Sequence, residues 1–383
     1  MEYLGVTPSI NNEYDSLDYS REGTHNLTCR PNHPTSNVSE NACYTDDVNP
    51  PYKLWETIII TICTVVLILG TVIGNTLVCV AVGKVKKLRK QLHNTLLVSL
   101  AVSDLLVAVC VMPLALINEL MGVWIFGVVI CDIYTLLDVL LCTASILNLC
   151  AISLDRYFLV EHPFWYGPKR TKKTIRWIIT VTWALSILIS IPPIFGWKSD
   201  ADRALIEHGV CLISQDLGYQ VYATGVAFYL PLIIMLTVYI RIYIIADKIC
   251  SNKSVVTKTD KTNMKRIKTL GVIMGTFIVC WLPFFICAVI RAFCECPQTC
   301  IPRWVNGFVQ WLGYLNSLFN PVIYVICNRE FRKPFKELLS CRCRGINAKM
   351  RSETYYDQYC NKNSQTGLID GKMTNENTSE SII

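Results

Sequence analysis

The sequence predicts an all-α membrane protein, a seven-transmembrane helix bundle followed by a short amphipathic interfacial helix. Three observations predict it. Seven long apolar stretches recur along the 383 residues. Only 17% of the residues are charged and 52% are hydrophobic, where soluble domains carry roughly a quarter charged residues. None of the stretches alternates in polarity, as barrel strands of about half the length would. A helix satisfies its own backbone polar groups in lipid, so each stretch reads as one helix.

Residues 1–53 come first. They are polar and acidic, rich in Asn, Asp, Ser and Pro, and are expected to form a disordered tail. They hold no apolar run after a basic start, so no cleavable leader is expected and the first helix must carry the tail across. Asn26 and Asn37 head two Asn-X-Ser/Thr glycosylation acceptors there. The membrane domain is expected over 54–328. Its spans cover approximately 56–83, 94–119, 129–154, 175–195, 219–246, 268–290 and 304–327, each near the ~20 residues that cross a bilayer.

Basic residues flank three of these spans. Lys84, Lys86, Lys87, Arg89 and Lys90 follow the first, and Lys169, Arg170, Lys172, Lys173 and Arg176 follow the third. Lys258, Lys261, Lys265, Arg266 and Lys268 precede the sixth. Basic loops stay in the cytosol, which puts the N-terminus outside and the C-terminus inside a cell membrane. The net charge of +7 follows from this bias, and nucleic acid is not an expected partner.

After the seventh span, Phe331, Phe335, Leu338 and Leu339 share a helical face. Residues 329–344 therefore read as a helix lying on the lipid of the inner leaflet. Cys341 and Cys343 suit palmitoylation there; ordinary reduced thiols are the alternative. Residues 345–383 read as a disordered cytoplasmic tail. Among the 19 cysteines, Cys131 lies at the outer end of helix three and Cys211 in the loop between helices four and five. Both face an oxidising space, so a bridge is expected. Two of Cys294, Cys296 and Cys300 can pair, as can Cys29 and Cys43; sequence does not choose.

Two acids lie at membrane depth, where an ionisable group is costly and marks function. Asp104 sits mid-way along helix two. Asp138 sits about two turns inside Cys131 on helix three, with no basic residue at matching depth on any helix. Each can be protonated and merely hydrogen-bonded, or can take a cation from outside. An ammonium ~4 Å from Asp138 gains about 4 kcal/mol gross at an effective dielectric near 20. Tyr314 can donate to the carboxylate. Trp281, Phe284, Phe285 and Trp311 offer faces to a flat ring or a cation. Around Asp104, the polar groups Asn75, Ser145, Asn316, Ser317 and Asn320 suit sodium, an allosteric modulator rather than a cofactor, or else a water network.

These residues sit among longer strings. Gly74-Asn75 lies in helix one and Leu100-Ala101-Val102-Ser103-Asp104 in helix two. Asp155-Arg156-Tyr157 ends helix three, and Trp183 lies in helix four. Pro231 and Tyr239 lie in helix five, Cys280-Trp281-Leu282-Pro283 in helix six and Asn320-Pro321-Val322-Ile323-Tyr324 in helix seven. Together they resemble the rhodopsin-like G-protein-coupled receptors over roughly residues 55–340. The resemblance implies that Arg156, flanked by Asp155 and Tyr157, engages a heterotrimeric G protein when helix six swings out. It implies a ligand-responsive Trp281, a packing switch of Ile146, Pro231 and Phe277, and a Tyr239–Tyr324 pair that meets on activation. Pro283 and Pro321 act as hinges, and Phe164 as an apolar plug against the G protein. Arrestin and receptor kinases are further implied partners. One departure stands out. Many members carry a glutamate at the inner end of helix six that locks the arginine; here Asn263 stands there.

Asp138 resembles the acid of the biogenic-amine branch, whose implied ligand contacts here are Asp138, Val139, Cys142, Thr143, Ile213, Thr224, Ala227, Trp281, Phe284, Phe285, Trp311 and Tyr314. Helix five offers the ligand one hydroxyl, on Thr224, beside Ala223 and Ala227. One hydroxyl suits a single phenol on a bicyclic ring, as in serotonin, better than a catechol. Cys211-Leu212-Ile213-Ser214-Gln215-Asp216, Cys142-Thr143-Ala144-Ser145 and Trp311-Leu312-Gly313-Tyr314 are similar to serotonin receptors of the seventh, adenylyl-cyclase-stimulating subtype. A short third inner loop, and Ala223 where that group has a serine, bear on G-protein choice and agonist affinity. Octopamine, tyramine or dopamine, or an inhibitory G protein, are the alternatives. A transporter or channel needs no Asp-Arg-Tyr end. A retinal protein needs a lysine within 304–327, which has none. The five histidines all lie outside the pocket region, and nothing there assembles an enzyme's nucleophile and base.

Overall fold

The computed structural model describes residues 52–198, 206, 209–251, 258–294, 300–340, 342 and 345–350, with the backbone alone at 246, 248–251, 258–268, 270 and 329. Among them are helices, turns and no strand. Asn26, Asn37, Cys29, Cys43, Cys296, Cys341, Cys343 and the side chain of Asn263 lie outside the described residues.

Eight principal helices follow in order. α1 is Leu54–Lys84, α2 is His93–Met121, α3 is Gly127–Glu161 and α4 is Lys172–Ser190. α5 runs 217–251 in three joined pieces, Leu217–Thr224, a π-helical turn Gly225–Tyr229, and Leu230–Ser251. α6 is Lys258–Ala292, α7 is Arg303–Cys327 and α8 is Arg329–Leu339.

Local chemistry sets the ends. The side chain of Asp216 accepts the Tyr219 N–H at 2.8 Å and starts α5. Asn328 accepts the Glu330 N–H at 3.0 Å and starts α8. Gly122, at φ 81°, ends α2 in the left-handed conformation that costs glycine little. α4 stops at Ser190, short of the expected 195, because Pro192 and Pro193 bring no backbone donor. The chain turns there through the 3₁₀ segment Pro192–Phe195.

The helices close a ring. α1 packs on α2, α2 on α3, α3 on α4 and α5, α5 on α6, α6 on α7, and α7 back on α1. α3 is the central post, with 61% of its most apolar stretch buried inside the protein against 11% for α1. The apolar residues that α1 leaves outside, such as Ile58, Ile62, Val66 and Ile73, suit hydrocarbon.

Six of the helices are long and apolar enough to cross a membrane, where seven were expected. α7 has the length, 25 residues, but not the apolarity. The reason is its inward face, which carries Asn306, Gln310, Asn316, Ser317 and Asn320. Those groups serve the interior described next and stay off the lipid.

Beyond α8, residues 346–350 form a further helical turn. Asn347 ties it to the end of α1, accepting from the Lys86 N–H at 2.8 Å and donating to the Lys84 carbonyl at 3.0 Å.

Candidate ligand pocket and its supporting network

A cavity of about 710 Å³, counted with its open mouth, lies between α3, α5, α6 and α7. Asp138 is its only lining carboxylate among the described residues. The residue is buried, with 7% of its surface exposed. Its Oδ1 accepts the Tyr314 hydroxyl at 3.0 Å and the Cys142 thiol at 3.4 Å. Tyr314 in turn accepts from the Gln310 amide at 2.9 Å, and the same amide nitrogen reaches the Tyr134 hydroxyl at 3.2 Å. This chain of donors aims the carboxylate and stabilises its charge. Among the described residues no basic side chain pairs with Asp138, so a ligand ammonium can serve as its counter-charge.

Aromatic rings form the next wall. Phe284 and Phe285 meet edge-on with centroids 5.3 Å apart, and both touch Trp281 at 5.9 Å. Phe228 stacks on Phe285 at 4.2 Å and leans on Phe277 at 5.6 Å. Trp281 holds its position because position 313 is glycine. A Cβ on Gly313 would lie 2.9 Å from the indole ring. The indole N–H is buried with no partner among the described residues.

α5 supplies Tyr219, Gln220, Ala223, Thr224 and Ala227. The Thr224 hydroxyl donates to the Gln220 carbonyl at 2.6 Å, one turn back in its own helix. Its proton is therefore committed, and toward a ligand Thr224 is an acceptor. The loop after α4 closes the site from above. A Cys131–Cys211 disulfide, Cα to Cα 5.8 Å, pins it to α3 and brings Ile213 onto the cavity. Cys294 and Cys300 form a second disulfide, between α6 and α7.

Of the expected contacts, Asp138, Val139, Cys142, Thr143, Ile213, Thr224, Ala227, Trp281, Phe284, Phe285 and Tyr314 all line the cavity. Trp311 does not. It is half-buried and packs edge-on against Tyr314, 5.5 Å between centroids, so it backs the tyrosine that donates to Asp138. Arg291 and Gln310 line the cavity unforeseen. The expected sixth span ended at 290, one residue short of Arg291. The only clue was a lone arginine at the lip of an apolar stretch.

Deeper in the bundle, Asp104 is fully buried. Ser145 and Ser317 donate to its Oδ1, each at 2.9 Å, and Asn320 to its Oδ2 at 2.7 Å. The Asn75 amide ties α1 to the Ser317 carbonyl at 3.0 Å. Asn316 is buried nearby in sequence, but its amide nitrogen has no partner among the described residues. The carboxylate and two serine hydroxyl oxygens converge as hard oxygen donors. Turning the hydroxyls would present their lone pairs to a small monovalent cation.

At the far end, Asp155 is held by a neighbouring loop. The Arg170 guanidinium grips both its oxygens at 2.7 Å, and Tyr166 donates to it at 3.0 Å. Burial, with the Asp155 charge beside it, pushes the Tyr166 hydroxyl up to about 12. These contacts anchor the short loop helix Pro163–Lys169, which leaves Phe164 94% exposed. An apolar ring so placed suits a protein partner. Ile146, on α3, is buried and lines the cavity, and Phe277, on α6, is buried in the same core. Gly271 faces the Tyr239 ring. Tyr324 is buried with its hydroxyl unpaired among the described residues.

Comparison with known proteins agrees with this architecture. Residues 74–324 match the family model of the 7 transmembrane receptor (rhodopsin family). The chain is 38% identical to 5-hydroxytryptamine receptor 7 of Xenopus laevis over 79% of its own length and 81% of that protein's. It is 36% identical to 5-hydroxytryptamine receptor 1A-alpha of Takifugu rubripes, over 72% of this chain and 86% of that one. It is 40% identical to a D(5)-like dopamine receptor of Takifugu rubripes, over 72% of this chain and 65% of that one. The chain therefore belongs to the rhodopsin family of seven-transmembrane receptors, in its biogenic-amine branch, a multi-pass membrane protein that takes an amine ligand and acts through a G protein.

Proposed function

We propose that the amine is serotonin and that the G protein stimulates adenylyl cyclase. The observation that carries this reading is the α5 wall of the cavity. It presents one aliphatic hydroxyl, Thr224, between Ala223 and Ala227, with the Tyr219 phenol five residues earlier in the same helix. With its proton committed to Gln220, Thr224 accepts a hydrogen bond from one phenol. Beside Thr224 a catechol's second hydroxyl would meet Ala223 or Ala227, and an unpaired buried hydroxyl costs roughly 1–3 kcal/mol. Dopamine is therefore the weaker candidate, although one relative is named as a dopamine receptor. Two relatives named for 5-hydroxytryptamine span more of their own lengths.

In this reading the disulfide end faces outside and the Arg156 end meets the G protein, with arrestin and receptor kinases as later partners. Glycans on Asn26 and Asn37 and palmitates on Cys341 and Cys343 follow from the same orientation. Sodium bound by Asp104, Ser145 and Ser317, with Asn316 and Asn320 beside it, favours the resting arrangement by cross-linking α2, α3 and α7. The experiment is cyclic-AMP measurement in cells expressing the chain, across serotonin, octopamine, tyramine, dopamine and histamine. Serotonin should raise cyclic AMP at the lowest concentration. Silence with serotonin and a response to another amine rejects serotonin; a fall in cyclic AMP rejects stimulatory coupling.

A further inference from the structure

The amine pocket holds a second, opposite charge. Arg291 stands on α6 and lines the same cavity as Asp138. Phe284 and Ala288 lie seven and three residues before it, on the same helical face and also on the cavity. The arginine therefore sits above the aromatic wall, one residue from the end of α6 at Ala292, toward the mouth. Across from it, Asn306 and Gln310 occupy successive turns of α7.

A guanidinium carries five N–H donors and no acceptor. One terminal nitrogen donates to the Asn306 side-chain oxygen at 2.8 Å. The Nε–H is buried and has no partner among the described residues. No carboxylate pairs with Arg291 there either. In a half-buried cation, a buried donor left unpaired is costly, and the group that would relieve that cost is an anion or strong acceptor arriving through the mouth. Asn306 fixes the plane of the guanidinium, so the fork is pre-organised for a carboxylate.

We propose that Arg291, with Asn306, forms an anion-binding subsite at the mouth, so that this pocket accepts zwitterionic ligands: amines whose nitrogen carries a flexible chain ending in a carboxylate. The ammonium would pair with Asp138, the ring would lie on Phe284 and Phe285, and the carboxylate would reach Arg291. The same charge disfavours an amine whose chain ends in a second ammonium. This inference rests on the amine reading of Asp138 but not on the amine being serotonin.

The test is competition binding on membranes carrying the full chain. The probes are matched pairs built on whichever amine of the panel raises a response: an N-(ω-carboxyalkyl) derivative and its methyl ester, at several chain lengths. Failure of serotonin itself therefore rejects the serotonin reading and leaves this measurement readable. The quantity read is the acid-to-ester affinity ratio within one variant, which cancels any general loss of binding. At the best chain length the ratio should fall roughly tenfold in Arg291→Gln and Arg291→Ala. It should be partly retained in Arg291→Lys, which keeps the charge and loses the fork. With a terminal ammonium in place of the acid, the order should reverse. A ratio that is the same in the natural chain, Arg291→Gln and Arg291→Lys at every chain length overturns the subsite.

Discussion

At the scale of single residues, the pocket divides between groups that hold charge and groups that choose the ring. Asp138 accepts two donors on one oxygen, the Tyr314 hydroxyl and the Cys142 thiol, and the Gln310 amide sets the first of them. Thr224 stands on the opposite wall with its proton committed at 2.6 Å. Replacing Thr224 by alanine removes the acceptor and leaves the helix intact. Serotonin affinity should fall by roughly 3–10-fold, the worth of a single hydrogen bond. Tryptamine, which lacks the hydroxyl, should be nearly unaffected; equal losses for both would remove Thr224 from ligand recognition. Asp138, Tyr314 and Trp281 were legible in the sequence because an acid in an apolar helix has few structural explanations and because the two rings stand in clusters of aromatics on two other spans. The bonds of the Cys142 thiol and of Gln310 were not: each joins residues four apart on one helix, but spacing alone does not say which polar pairs bond. Trp311 was misread for a related reason. Spacing places a ring on a helix face, but which ring reaches the cavity depends on how the helix is rotated against its neighbours.

Single elements carry the next layer. α7 is the least lipid-like of the long helices, since its polar face serves both acids at once, Tyr314 above and Ser317 with Asn320 below. Gly313, between them, lets α7 lie close to Trp281, where an added Cβ would come within 2.9 Å. Gly313→Ala should force the indole or the helix to shift. Overpacking of this kind costs about 1–3 kcal/mol, to be read as a lower Tm of the purified receptor in a thermal-shift assay. An unchanged Tm would show that Trp281 moves aside freely. The existence and order of the helices were plain in the sequence because each apolar run is far longer than any turn. Their ends were not. The Pro192–Pro193 break and the last residues of α6 depend on loop chemistry, and the two-residue shortfall at the end of α6 hid Arg291. The π-helical turns Val107–Val111 and Gly225–Tyr229 shift side-chain facing by one residue and have no simple sequence mark.

Across the whole molecule, the ligand cavity and the Arg156 end are joined through α3, α6 and α7. Asp155 is held by Arg170 and Tyr166 of the adjoining loop, so part of the restraint at that end comes from the loop helix that bears Phe164. At position 263 of α6 stands an asparagine, which cannot make a charge pair with Arg156. Signalling without ligand should therefore be raised, and Asn263→Glu should lower it, measured as basal cyclic AMP at matched surface expression. Equal output from both chains would place the resting restraint elsewhere, with the Arg170–Asp155 pair the first place to look.

The account turns on one charge, and Asp138→Asn tests it most directly. Asparagine keeps the shape and can still accept from Tyr314, so folding and surface expression should persist. Competition binding of serotonin to membranes should then weaken by about a hundredfold or more, the size expected when a buried charge pair loses one partner. Serotonin binding at the affinity of the natural chain would contradict the assignment of Asp138 as the amine's anchor.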